Sequence, residues 1–205
     1  MSTTDEAPAA VAAGTGIADP APLGLAAFAL TTFLLSAVNA GWAKNTSGAD
    51  WLGYAFAYGG LCQLLAGMWE FRNRNVFGAT AFSTYGGFWI GLGFWAILAH
   101  AAAGTKDVGW ILLAFAIFNT YMLLWSTLIN WAIFAVFLTL EATEIVLFIG
   151  FFANNTSVIK IGGIVGVVTA VVAWYTSAAI VVNTMRGGAQ TLPVGKPLWA
   201  PRPTV

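Results

Sequence analysis

Six apolar runs fill most of this chain, at residues 22–43, 51–71, 79–102, 108–128, 131–152 and 158–182. Each is near the roughly 20 residues that a helix needs to cross about 30 Å of hydrocarbon. The connections between them are short: "KNTSGAD" at 44–50, "RNRNVFG" at 72–78, "AGTKD" at 103–107 and "NNTS" at 154–157. Only a turn at Ile129–Asn130 separates the fourth run from the fifth. Without it the two would make one helix of roughly 45 residues, too long for a single crossing. The runs lack the period-two alternation of a membrane strand, which excludes a β-barrel. The expected fold is therefore an all-α membrane protein with six transmembrane helices over 19–182, flanked by tails at 1–18 and 183–205.

Composition supports a bilayer as the solvent. Only 8% of residues are charged and 59% are hydrophobic, where a soluble domain carries about 25% charged residues. The formal net charge is zero and the basic residues are scattered, so nucleic acid is not an expected partner. The chain's single cysteine, Cys62, cannot form an intrachain disulfide and reads as a small buried hydrophobe. With no His/Cys cluster and no nucleophile–base pair, neither a metal, a cofactor nor enzymatic activity is expected.

Met1 to Ala18 is alanine-rich, carries Asp5 and Glu6 and has no Lys or Arg. It lacks the basic start of a secretory signal and reads as a disordered cytosolic tail. Six spans put both termini on one side. That side holds Arg72, Arg74, Arg186, Lys196 and Arg202, and the other holds Lys44, Lys106 and Lys160. The excess of positive charge predicts cytoplasmic termini in a multi-pass protein of the plasma (inner) membrane.

Polar residues inside the runs carry the functional signal. In "DPAPLGLAAFALTTFLLSAVNA" (19–40), Asp19 can accept from free N–H groups at a helix start, with Pro20 in the first turn. The positive end of that helix dipole can attract an anion. Phe28, Thr32, Leu35 and Asn39 follow at spacings of four, three and four, one stripe of the helix. In the second run Gln63, Gly67 and Glu70 share a face with Gly59 and Gly60, and Glu70 is expected in an exposed ion pair with Arg72 or Arg74. Phe82, Tyr85, Trp89 and Leu92 form an aromatic stripe in the third run. His100, near the outer end of that run, is either a pH sensor or an interfacial residue without function. Such faces suit a path for a small polar solute; the competing explanation is that hydroxyls and amides bond neighbouring helices.

Glu141 and Glu144 stand near the middle of the fifth run, three residues apart. An ionised carboxylate at the bilayer centre costs about 2.5–3.5 kcal/mol on insertion scales. Each must face water or protein, or be neutral. Both outcomes suit proton-linked transport, and bonding to a neighbouring helix or subunit is the alternative.

Together these residues resemble the acetate uptake transporter family, which includes the YaaH/SatP type and the yeast acetate permeases. "DPAPLGL" (19–25) resembles its NPAPLGL signature, "GMWEFRNRNVFGATAFSTYGGFW" (67–89) its second block and "TLPVGKP" (191–197) its tail. The resemblance implies six helices per protomer, a homo-hexameric ring and a solute path through each protomer. It implies a narrow gate of Phe28, Tyr85 and Leu140, with Gln63 as the family's glutamine of the second span. The polar stripe of the first run adds Thr32 and Asn39 to the path, and its helix start places Asp19, Leu23 and Gly24 at the entrance. The implied substrate is acetate or a related short monocarboxylate, with succinate a further candidate and a proton as co-substrate. Two departures bear on the substrate: Asp19 replaces the usual Asn, and Glu141 and Glu144, the candidates for proton coupling, stand where apolar or hydroxyl residues are expected.

Two other readings compete. A six-helix channel for a neutral solute such as urea or a short amide fits the same polar stripes. A retinal-binding proton pump requires a mid-helix lysine, whereas Lys160 lies only at the start of the last run and six spans are one short.

Overall fold

In the computed structural model, which describes residues 16–44, 49–98 and 105–199, the ordered structure is helical and no strand occurs among the described residues. The helices are α1 (Ala21–Asn39), α2 (Ala49–Phe56), α3 (Gln63–Arg72), α4 (Val76–Leu98), α5 (Thr105–Ser126), α6 (Trp131–Phe152) and α7 (Thr156–Met185). Five of them, α1, α4, α5, α6 and α7, are long and apolar enough to cross a membrane. The remaining expected span is a continuous helical rod over 49–72, in which a π-helical segment, Ala57–Cys62, joins α2 to α3. At about 1.5 Å per residue, its eight, six and ten residues also reach across a bilayer. Most of the expected tail at 1–18, His100 and residues 200–205 lie outside the described residues.

Local chemistry sets the helix ends. Asp19 Oδ1 accepts from the Ala21 N–H at 2.9 Å, while Pro20 stands just before the first helical residue rather than within the first turn. The turn at Ile129–Asn130 forms because Asn130 caps α6, its Oδ1 accepting from the Ile133 N–H at 2.9 Å. Asn155 caps α7 in the same way. The expected C-terminal tail begins inside α7, which runs on to Met185. Beyond it, the chain folds back. Asn183 exchanges two hydrogen bonds with Leu192, Tyr175 donates to the Pro193 carbonyl, and Val194 and Thr127 carbonyls accept from the Ala132 and Leu198 N–H groups.

The helices pack in a chain of neighbours: α3 along α4, α1 along α7 and the π-helical segment, α7 along α6, and α6 along α5. Leu25, Phe28, Phe82, Tyr85, Met122, Val136, Phe137 and Leu140 form the main core, and Trp51, Ala55, Trp89 and Leu92 a second. Small residues allow the close approaches that replace hydrophobic driving force between membrane helices. Gly59 packs against Thr31, whose hydroxyl bonds the Ala27 carbonyl at 3.1 Å. Gly166 faces Ser36, and Gly163 abuts the main chain of Asn39 and Ala40.

A side chain at 163 would meet backbone, which cannot rotate aside. Gly163→Val is therefore expected to cost at least about 1–3 kcal/mol and to lower the thermal midpoint in detergent by several degrees. Gly87→Val, where a Cβ meets nothing within 4 Å, is the matched control and should not lower the midpoint.

Candidate functional site

Three helices, α1, α4 and α6, bring their polar stripes to one axis. On the side of the loops at 73–75 and 129–130 lies a cavity of about 490 Å³, walled by Leu25, Phe28, Phe82, Tyr85, Phe137 and Leu140 and reached past Asp19, Asn73, Arg74 and Asn75. Towards the other side lies a smaller cavity of about 50 Å³, bordered by Phe28, Thr32, Asn39, Tyr85, Leu140 and Glu144 among others. Phe28, Tyr85 and Leu140 line both. They are only 5%, 3% and 6% exposed, so the protein closes around them between the two spaces. The Phe28 and Tyr85 rings meet edge to face, with centroids 5.9 Å apart, an arrangement that aromatic quadrupoles favour.

The polar atoms along this axis are unusual for a buried site, where most groups find a partner. Gln63 lines the larger cavity, and its Oε1 has no hydrogen-bond partner among the described residues. Thr32, Trp89 and Glu144 line the smaller one, and Thr32 Oγ1, Trp89 Nε1 and Glu144 Oε2 are likewise unpartnered. A free acceptor thus stands on one side of Phe28, Tyr85 and Leu140, and a free donor and further acceptors stand on the other. Not every polar residue of α1 is of this kind: Thr31 and Ser36 serve packing, and the α6 and α7 hydroxyls of Thr143 and Thr169 bond each other at 2.9 Å.

The two membrane carboxylates occupy different places. Glu144 is 3% exposed, and its Oε1 lies 3.3 Å from the Tyr85 hydroxyl. Glu141 turns to α5, where its Oε1 accepts from Thr120 Oγ1 and its Oε2 from Asn119 Nδ2, each at 2.7 Å. The Tyr85 hydroxyl also lies 3.0 Å from Asn119 Oδ1. Tyr85, Asn119 and both carboxyls therefore form one hydrogen-bonded group.

The expected entrance residues divide. Asp19 borders the larger cavity, but Leu23 is 45% exposed on the outside of α1 and Gly24 packs against the Phe82 ring. Glu70 does not stand in an exposed ion pair. It is fully buried, with Oε2 accepting from Asn73 Nδ2 at 3.1 Å and the carboxyl set against Gly78. The polar turn after α3 folds over it, so amides rather than guanidinium groups receive the carboxylate. Arg74, read in the sequence as a topology marker and a candidate partner of Glu70, holds a left-handed backbone at φ 61° and borders the larger cavity. Asn119 was also missed. Its signal was a lone asparagine inside the run 108–128.

A bundle of apolar helices enclosing two polar-edged cavities end to end is the architecture of a multi-pass membrane transport protein. Residues 3–191 match the GPR1/FUN34/yaaH family, and the chain belongs to it. It is 39% identical over 203 residues to acetate permease A of Emericella nidulans, covering 90% of this chain and 68% of the relative. It is 33% identical over 188 residues to the succinate-acetate/proton symporter SatP of Escherichia coli K12, covering 89% of this chain and 97% of the relative. The chain spans 68% of the length of that permease and 60% of the length of accumulation of dyads protein 2 of Saccharomyces cerevisiae, to which it is 42% identical over 171 residues. The solved structure of the bacterial acetate channel SatP superposes with a TM-score of 0.81 at 33% identity, covering 87% of this chain and 99% of that one. These relatives are a permease, a symporter and a channel. The chain is a transport protein and not an enzyme.

Proposed function

We propose that this protein moves acetate and related short monocarboxylates across the plasma (inner) membrane, with succinate as a further substrate and a proton as co-substrate. The carrying observation is the pair of cavities that share Phe28, Tyr85 and Leu140 as a common wall. In this reading those three side chains are the gate, and Gln63, Thr32 and Asn39 line the route on either side of it. Arg74 draws an anion to the mouth, where the charge of Asp19 opposes too strong a hold. The names of the permease and symporter relatives support the substrate class. A homo-hexamer, with both termini in the cytoplasm, completes the reading.

Uptake by reconstituted vesicles tests the substrate. Labelled acetate should enter faster than labelled urea, and an inward proton gradient should accelerate it. Equal entry of urea would instead make this a channel for neutral solutes. Topology is tested separately with single cysteines in a Cys62→Ser background. Positions beyond Met185 should react only with reagent supplied on the cytoplasmic side; labelling from outside would overturn the orientation.

A further inference from the structure

The Tyr85 ring is boxed by apolar rings and held at one polar point. Phe28, Phe88, Phe115 and Phe118 surround it, with centroids between 5.5 and 6.3 Å away. Those contacts can slide. The hydroxyl has a single hydrogen to donate and two acceptors within reach, Asn119 Oδ1 at 3.0 Å and Glu144 Oε1 at 3.3 Å.

Asn119 borders neither cavity and is fully buried. Its amide has two N–H hydrogens and one carbonyl oxygen. Both hydrogens serve α6, one on the Phe137 carbonyl at 3.0 Å and one on Glu141 Oε2 at 2.7 Å. With the NH₂ end committed there, only Oδ1 can face Tyr85. The amide orientation follows from the network rather than from choice. Asn119 thereby ties the aromatic wall on α4 to the helix that carries Leu140.

We propose that Asn119 is a positioning residue for the constriction, fixing the Tyr85 hydroxyl from behind and so setting the largest acid that passes. This rests on the gate reading of Phe28, Tyr85 and Leu140. Loss of Oδ1 leaves Glu144 as the remaining acceptor and unties the ring from α5, so that it can retreat from Leu140. The path relaxes, and size selectivity falls.

The test uses the full chain in vesicles and reads the ratio of succinate to acetate uptake. Asn119→Leu, which keeps the branched shape but makes no hydrogen bonds, should raise that ratio about three- to tenfold, the range of one buried hydrogen bond. Because the effect passes through the hydroxyl, Tyr85→Phe with Asn119→Leu should match Tyr85→Phe alone. A wild-type ratio in folded Asn119→Leu overturns the proposal, and so do effects that multiply in the double variant. If Asn119→Leu does not yield folded protein, Asn119→Ser takes its place, being too short to reach Tyr85, with the same two outcomes. Leu140→Ala separates the layers of inference. A shifted ratio there with none at Asn119 rejects the positioning role alone, whereas no shift at Leu140 rejects the gate and the positioning role together.

Discussion

Shortening Leu140 to alanine is expected to raise the flux of succinate or lactate relative to acetate by about tenfold or more. One methylene in a close-fitting site discriminates by about 10- to 200-fold, and this change removes more than one. Leu140 is 6% exposed and borders both cavities, so the lost volume joins the two spaces directly instead of leaving a sealed void. The measurement is paired uptake of labelled two-, three- and four-carbon acids, with protein-free vesicles subtracted. A buried Leu→Ala change can cost about 2–5 kcal/mol, so a monodisperse elution profile must accompany each flux. If the variant is folded and its size profile matches wild type, the constriction lies elsewhere.

The second large effect concerns Glu144. Its Oε2 is unpartnered beside the smaller cavity, and the charged or titratable groups facing it are Tyr85 and Glu141. Ionised, it repels a carboxylate about 4 Å away by roughly 4 kcal/mol at an effective dielectric near 20. Protonated, it can donate to the same carboxylate. Flux through the wild type should therefore rise as pH falls. Glu144→Gln keeps the shape, never charges, and should give higher acetate flux at neutral pH with a flatter profile. Glu141→Gln, whose side chain lies against α5, should retain the wild-type shape. An unchanged profile in Glu144→Gln assigns this residue to holding Tyr85 and removes it from proton transfer.

The six runs were legible because bilayer thickness imposes a length that no other pressure produces. Their ends were less so. The last run, read as 158–182, is helical from Thr156 to Met185, since Asn155 and the returning C-terminal segment decide where it stops. Phe28, Tyr85 and Leu140 could be singled out from the family pattern, yet their meeting at one point required three helices to pack. Glu70 shows the limit of reading neighbours along the chain: Arg72 and Arg74 were close in sequence, but the turn presented Asn73 to it instead. Asn119 was visible as a polar residue in an apolar run. Its partners Tyr85 and Glu141 lie 34 and 22 positions away, and no local pattern names them.

The π-helical segment at Ala57–Cys62 amounts to a phase shift in the second traverse. A π-turn behaves as one extra residue in an α-helix, and one residue is about 100° of rotation. The half before it, with Trp51 and Ala55 in the tryptophan-rich core, and the half after it, with Gln63 at the larger cavity, are thus indexed independently. An unbroken α-helix could not serve both alignments, because correcting one would turn the other away by more than a quarter of a circle. Lengthening or shortening this segment would redirect Gln63 without altering a single side chain, so the route's chemistry depends on residue count here as much as on residue identity.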